Sequence, residues 1–249
     1  MAYHNNEYKR LEELSNKLDQ HPLGMKFTGD NITVGGQPLP EEVEFNGIPL
    51  SPGDFARLFL LPNGSEAFIE EQLEPSPDCA PPGKYVRSHH QWIKNGEHTR
   101  VGAYKTSGSE KDMGRLGIFI DHVFFDENKA PKYLATVAFS YLALAAREIG
   151  CDEITLLAGG GGGGHAAQWG IDNMVGYFVW PKFGFDAPIE PDEAEFSGYA
   201  NVAQVVAKEP EKWEKQGNGR VMRFDLEIGS ASWDTLLKYA CSKLSAIPC

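Results

Sequence analysis

Between Leu116 and Phe125 the chain reads LGIFIDHVFF, an apolar run that carries an aspartate and a histidine side by side. Burying such groups is costly unless each is hydrogen-bonded or charge-paired. Either Asp121 or His122 can serve as a proton acceptor when its surroundings tune it. Strict alternation along a strand puts Ile118, Ile120, His122 and Phe124 on one face, and Phe119, Asp121, Val123 and Phe125 on the other. Only one of the pair is therefore expected to face a given site. Further on, LLAGGGGGGH sets six glycines, Gly159–Gly164, between an apolar run and His165. They satisfy G-x-G-x-x-G trivially, but a dinucleotide site also wants an acidic residue about 20 positions on, ending a second strand. Asp172 comes too early for that, so the glycines are expected to form a loop. Gly161 and His165 would lie on the substrate side of a site mouth, where loop N–H groups can also form an anion nest. His89 and His90 point to opposite faces of a strand and are expected at the surface.

These residues need a scaffold. Residues 5–19 space Tyr8, Leu11, Leu14 and Leu18 as an amphipathic helix. From Met25 to Leu50 turn signals (TGDN, GGQP, FNGIP) separate short apolar runs, which suggests hairpins. Ser51-Pro-Gly-Asp opens a short helix, FARLFLL, and SEAFIEEQL reads as another. The breaker-rich EPSPDCAPPG (74–83) is the best boundary in the chain. Strands are expected in KYVRSHHQWIK, HTRVGAYK and RLGIFIDHVFFD, the last two joined by SGSEKDMG. A nearly all-apolar helix follows, Lys132–Ile149, stopped by Gly150. Glu153–Ala158 makes a buried strand, and a helix around Ile171–Val179 leads to the strand-like FGFDAPI. The tail supplies a helix (YANVAQVVAKE), a charged stretch around Trp213, a strand (RVMRFDLEI) and a last helix capped near Ser232.

The order strand, buried helix, strand, helix, strand across 115–189 resembles the core of the GNAT-type N-acyltransferases. AREIGCDEITL at 146–156 is similar to the way that family ends its central helix and enters its next strand. The spacing of Asn173, Gly176, Trp180 and Gly184-Phe185 within NMVGYFVWPKFGFDAPI is also similar to it. The resemblance implies an α/β (α+β) fold with a mixed central sheet and flanking helices. On that plan 81–190 is the core, 1–80 an N-terminal accessory region and 191–249 a C-terminal helix–strand–helix addition, all in one domain. It implies two central parallel strands that splay apart to admit the pantetheine arm of acetyl-CoA or another acyl-CoA. Val123 and Phe124 would hold that arm by their backbone, and Asn173 and Trp180 would also bind the cofactor. Tyr133, Leu134, Ala135 and Thr136, at a helix N-terminus, would hold the pyrophosphate. In the family's Gln/Arg-x-x-Gly-x-Gly/Ala loop the matching positions are Ala130, Tyr133 and Ala135, of which Ala135 conforms. Trp180 stands where the family often has an acidic tyrosine, and Tyr177 is the nearest alternative. His122 or Asp121 would be the base.

The composition constrains partners. A formal charge of −12 without a Lys/Arg block argues against nucleic acid and suits an amine-bearing small molecule or protein substrate. Cys79, Cys151, Cys241 and Cys249 share no C-x-x-C spacing, and with the scattered histidines they form no zinc pattern, so no metal is expected. The polar N-terminus has no signal-peptide character and no run reaches the ~20 apolar residues of a membrane span, so a soluble cytoplasmic protein is expected. Acyl-CoA-dependent N-acylation is the leading activity. The alternative is a related fold that has lost CoA and works as a binding module, or as an effector or toxin with another group transfer.

Overall fold

The computed structural model describes residues 2–106, 116–162 and 174–244. Ten strands and seven helices are named here in chain order. Helix α1 (Ala2–Gln20) is followed by two small hairpins, β1 (Thr33–Val34) with β2 (Gln37–Pro38), and β3 (Val43–Phe45) with β4 (Ile48–Leu50). Helix α2 (Pro52–Leu58) starts where the sequence says it should. The Ser51 hydroxyl caps the Asp54 N–H, and proline occupies the first helical position, where its missing N–H costs nothing.

The strands β5 (Glu66–Gln72), β6 (Gly83–His89), β7 (Thr99–Lys105), β8 (Leu116–His122), β9 (Glu153–Gly161) and β10 (Asn218–Asp225) join β1 and β2 in one sheet. Its order is β10-β9-β8-β7-β6-β5-β1-β2, with β8/β9 and β1/β5 parallel and the other neighbours antiparallel. The fold is thus a large mixed α/β sheet with flanking helices. The segment 74–83 is the β5–β6 connection, so the sheet runs straight across the expected boundary.

SEAFIEEQL, expected as a helix, is strand β5. Its inward positions alternate with exposed ones, and seven register pairs to β6 satisfy its backbone, which outweighs the helical preference of Glu and Ala.

Helix α3 (Leu134–Glu148) connects β8 to β9, as a parallel crossover requires, and most of its side chains are buried. It packs against α1, α2 and the last helix, α7 (Ala231–Lys243), which the Ser230 hydroxyl caps two residues earlier than expected. Between them lie α4 (Gly176–Val179), α5 (Val202–Lys208) and α6 (Pro210–Gln216). The charged stretch around Trp213 is therefore helix α6, anchored by a fully buried indole whose N–H donates to the Tyr177 carbonyl. Tyr8 leaves the apolar stripe of α1 and is 51 % exposed, with the Arg147 guanidinium over its ring. Among the described residues no helix is long and apolar enough to cross a membrane, and Cys79 and Cys151 are free thiols.

Candidate functional site

The parallel ladder between β8 and β9 is short. It runs from Gly117↔Glu153 to Ile120↔Leu156 and shares no register pair beyond, although β9 continues to Gly161 on the arm of β10. The chain after β8 turns the other way. Phe125 bridges to Ile93, the Phe124 carbonyl accepts from Lys94 N–H, and Asp126 N–H donates to the Trp92 carbonyl. The strands therefore part, and a cleft of about 330 Å³ opens between them. Ile120 to Phe125 form one wall and Leu156, Leu157 and Gly159 another, with Ala135, Ala138 and Phe139 of α3 and Val179, Trp180 and Phe183 completing it. The lining is mostly apolar, as expected of a site that removes a ligand from water.

At one end of this cleft α3 begins. Tyr133 precedes it with φ +68°, the left-handed region a glycine occupies without strain, and its side chain makes no capping bond. The Leu134 N–H reaches the Pro131 carbonyl and that of Val137 reaches Tyr133, whereas those of Ala135 and Thr136 take no backbone acceptor among the described residues. The positive end of a 15-residue helix, with the Ala135 N–H at its first turn, thus lies at the cleft mouth. Cations stand close by: Lys132 lies over the Tyr133 ring, 4.9 Å from its centroid, and Lys129 pairs with Asp126 at 3.2 Å. Asp126, whose oxygen also accepts from the Asn128 N–H, is held below the usual carboxylate range by those two partners.

The polar pair on β8 does not alternate as expected. The register shifts between Arg100 and Val101, so that Arg100 faces His122 while Val101 faces Ile120, and Asp121 is the extra residue of a β-bulge. Asp121 and His122 consequently join one polar array instead of opposite faces. Arg100 Nη1 donates to Asp121 Oδ2 (2.8 Å), Nε to Glu70 (3.3 Å) and Nη2 to Gln72 (2.9 Å), and its guanidinium covers the Tyr85 ring. Arg87 closes the circuit to Glu70 (2.6 Å) and approaches His89. Burial alone would raise the Glu70 pKa, but the hydrogen bonds and charges of Arg87 and Arg100 prevail and hold it low. His122 Nε2 lies 3.0 Å from Glu97 Oε2, and its ring stacks with His98 and Phe124 at 4.9 and 6.0 Å. His98, next to His89, is pushed below the ordinary imidazole pKa by burial first, then by His122, Arg87 and His89. His90 is also pushed down, by burial, with Trp92 packed edge-on at 4.7 Å.

Of the residues singled out in the sequence, the cleft brings together Asp121, His122, Val123, Phe124, Ala135 and Trp180. Trp180 packs on Phe139 and Phe185. Tyr133, Leu134 and Thr136 sit at the start of α3; Leu134 and Thr136 are buried in its packing. Tyr177 is not brought there: its hydroxyl donates to the Glu214 carbonyl, and burial raises its pKa. Gly161 ends β9 opposite Asn218 and is strand rather than loop. Gly159 and Gly160 belong to the same strand because the chain at Met174–Gly176 crosses them at backbone contact distance. Gly160, at φ +96°, bridges Val175 and leaves no room for a side chain under Met174. His165 and Asn173 lie outside the described residues. Glu97, Arg100 and His98 had no local signal, because each reaches the site only through the pairing of β6, β7 and β8.

Comparison with known proteins gives no significant match to a family model, to a curated protein or to a solved structure.

Proposed function

We propose that this protein transfers an acyl group from an acyl-CoA, with acetyl-CoA the simplest donor, to the amine of a small molecule or protein. The observation that carries the reading is the parting of β8 from β9 beside the start of α3, where the N–H groups of Ala135 and Thr136 take no backbone acceptor among the described residues. Those donors and the α3 dipole suit a pyrophosphate, and the apolar cleft walls at Val123, Phe124 and Trp180 suit a pantetheine arm. The left-handed Tyr133, at the position where the resembled loop carries glycine, supports the same reading. When bound, an acyl-CoA supplies an acyl carbon activated by its thioester. This chain's residues would orient the arm, exclude water from it and accept the amine proton, which falls to His122. Asp121 is already engaged by Arg100, so the reading does not assign the step to it. Tyr177, bonded to Glu214, is not placed to protonate a leaving thiolate, so the reading assigns no acid to it.

The side chain of Tyr133, 37 % exposed, favours the second reading, a cleft that has lost CoA and holds another ligand. Calorimetric titration with CoA and acetyl-CoA separates the two. Ala135→Glu is the informative variant, because Ala135 is exposed at the cleft. A carboxylate in the first turn favours the helix but repels a pyrophosphate. Micromolar binding that weakens at least about tenfold in this variant, equal to ~1.4 kcal/mol, supports acyl transfer. Absence of heat with millimolar CoA rejects it.

A further inference from the structure

We infer that Glu97 is a positioning residue that fixes the tautomer of His122, a cleft-lining residue, so that Nδ1 is left as its proton acceptor. The role as base rests on the acyl-transfer reading; the tautomer does not.

The argument starts from donor chemistry. An ionised carboxylate only accepts hydrogen bonds, so a ring nitrogen 3.0 Å from Glu97 Oε2 carries the proton. A neutral imidazole has one N–H, and with Nε2 protonated the lone pair resides on Nδ1. Glu97 is not a chance neighbour. Its N–H donates to the Lys94 carbonyl, closing a tight turn in which Gly96 takes φ +82°. That turn is pinned to the chain beyond β8 by Lys94 N–H to Phe124, by the Ile93–Phe125 bridge and by Asp126 N–H to Trp92. The same segment that bends away to open the cleft thus carries Glu97 against His122. The near-parallel stack with His98 and Phe124, at 25° and 22°, fixes the plane of the ring. Burial first, and then its neighbours, push the His98 pKa below the ordinary imidazole value, which disfavours a second charge beside His122.

The test is a long-range proton–nitrogen correlation spectrum of isotopically labelled protein at about pH 8, above the ordinary imidazole range. The His122 signals are assigned from the spectrum of His122→Gln. The expected result is an Nε2–H tautomer for His122 in the unmodified protein, changing to a mixture in Glu97→Ala and persisting in His98→Phe, which keeps the stack. An Nδ1–H tautomer in the unmodified protein, or a tautomer unmoved by Glu97→Ala, overturns the assignment. Unchanged signals from the remaining histidines show that the variant is folded. Titration of the same samples with CoA reports on the acyl-transfer reading separately. An Nε2–H tautomer without CoA binding keeps the Glu97 assignment and removes acyl transfer, and CoA binding with an Nδ1–H tautomer does the reverse.

Discussion

Tyr133 holds a left-handed backbone that costs an ordinary L-residue about 1 kcal/mol relative to glycine. Tyr133→Gly is accordingly expected to raise stability by about that amount, a shift of roughly 2–4 °C in a chain of this size, and to tighten any anion at α3 by letting the backbone approach it. Thermal melting with and without CoA checks both effects; a lower melting temperature would show that the tyrosine ring contributes more than its backbone costs. The strand carrying Asp121 and His122 was legible from its apolar run, and their polarity marked them correctly as residues with partners. Which partners they have was not legible. The bulge depends on how β7 pairs, and Glu97 and Arg100 lie 25 and 21 residues away in sequence. Alternation is a property of an undisturbed ladder, and one extra residue cancels it.

Among the elements, β5, β7 and β8 are tied together by Arg100, only 14 % exposed and bonded to Glu70, Asp121 and Gln72. Replacing it with methionine keeps the stem but strips Asp121 of its ion pair in a shielded site and leaves Glu70 to Arg87 alone. Arg100→Met is expected to destabilise by about 3 kcal/mol, whereas Arg100→Met combined with Asp121→Asn and Glu70→Gln should recover most of the loss; denaturant titration of the three proteins measures this. Helix α3 and strands β6 to β10 lie where their hydrophobic patterns place them, α3 buried along most of its length and β9 and β10 on alternate positions. β5 did not, since a short alternating stretch with several glutamates reads equally well in either period and only its neighbours decide. Half the glycine run behaves as strand for a similar reason. β10 supplies the hydrogen bonds, and the crossing at Met174–Gly176 demands residues without side chains.

For the whole molecule, His90 and His98 link stability to pH. Both have folded pKa values lowered chiefly by burial, so the unfolded chain takes up protons that the folded one refuses. Stability is therefore complete above the unfolded imidazole value of about 6.5 and falls as pH drops through it toward the lowered folded values. Glu70, also depressed, adds a second loss at more acid pH, through the carboxylate range. Denaturation followed between about pH 8 and pH 5 should show the first slope, and His98→Gln should flatten it; an unchanged slope would place the titration elsewhere. Beyond titration, the parting of β8 from β9 has a mechanical meaning. The sheet is two plates, one of β9 and β10 and one running from β8 to β2, fastened by a seam that ends at Ile120↔Leu156. A ligand lying in the tear would act as a splint across both plates, so amide exchange along the free length of β9 should slow whenever the cleft is filled, whatever fills it.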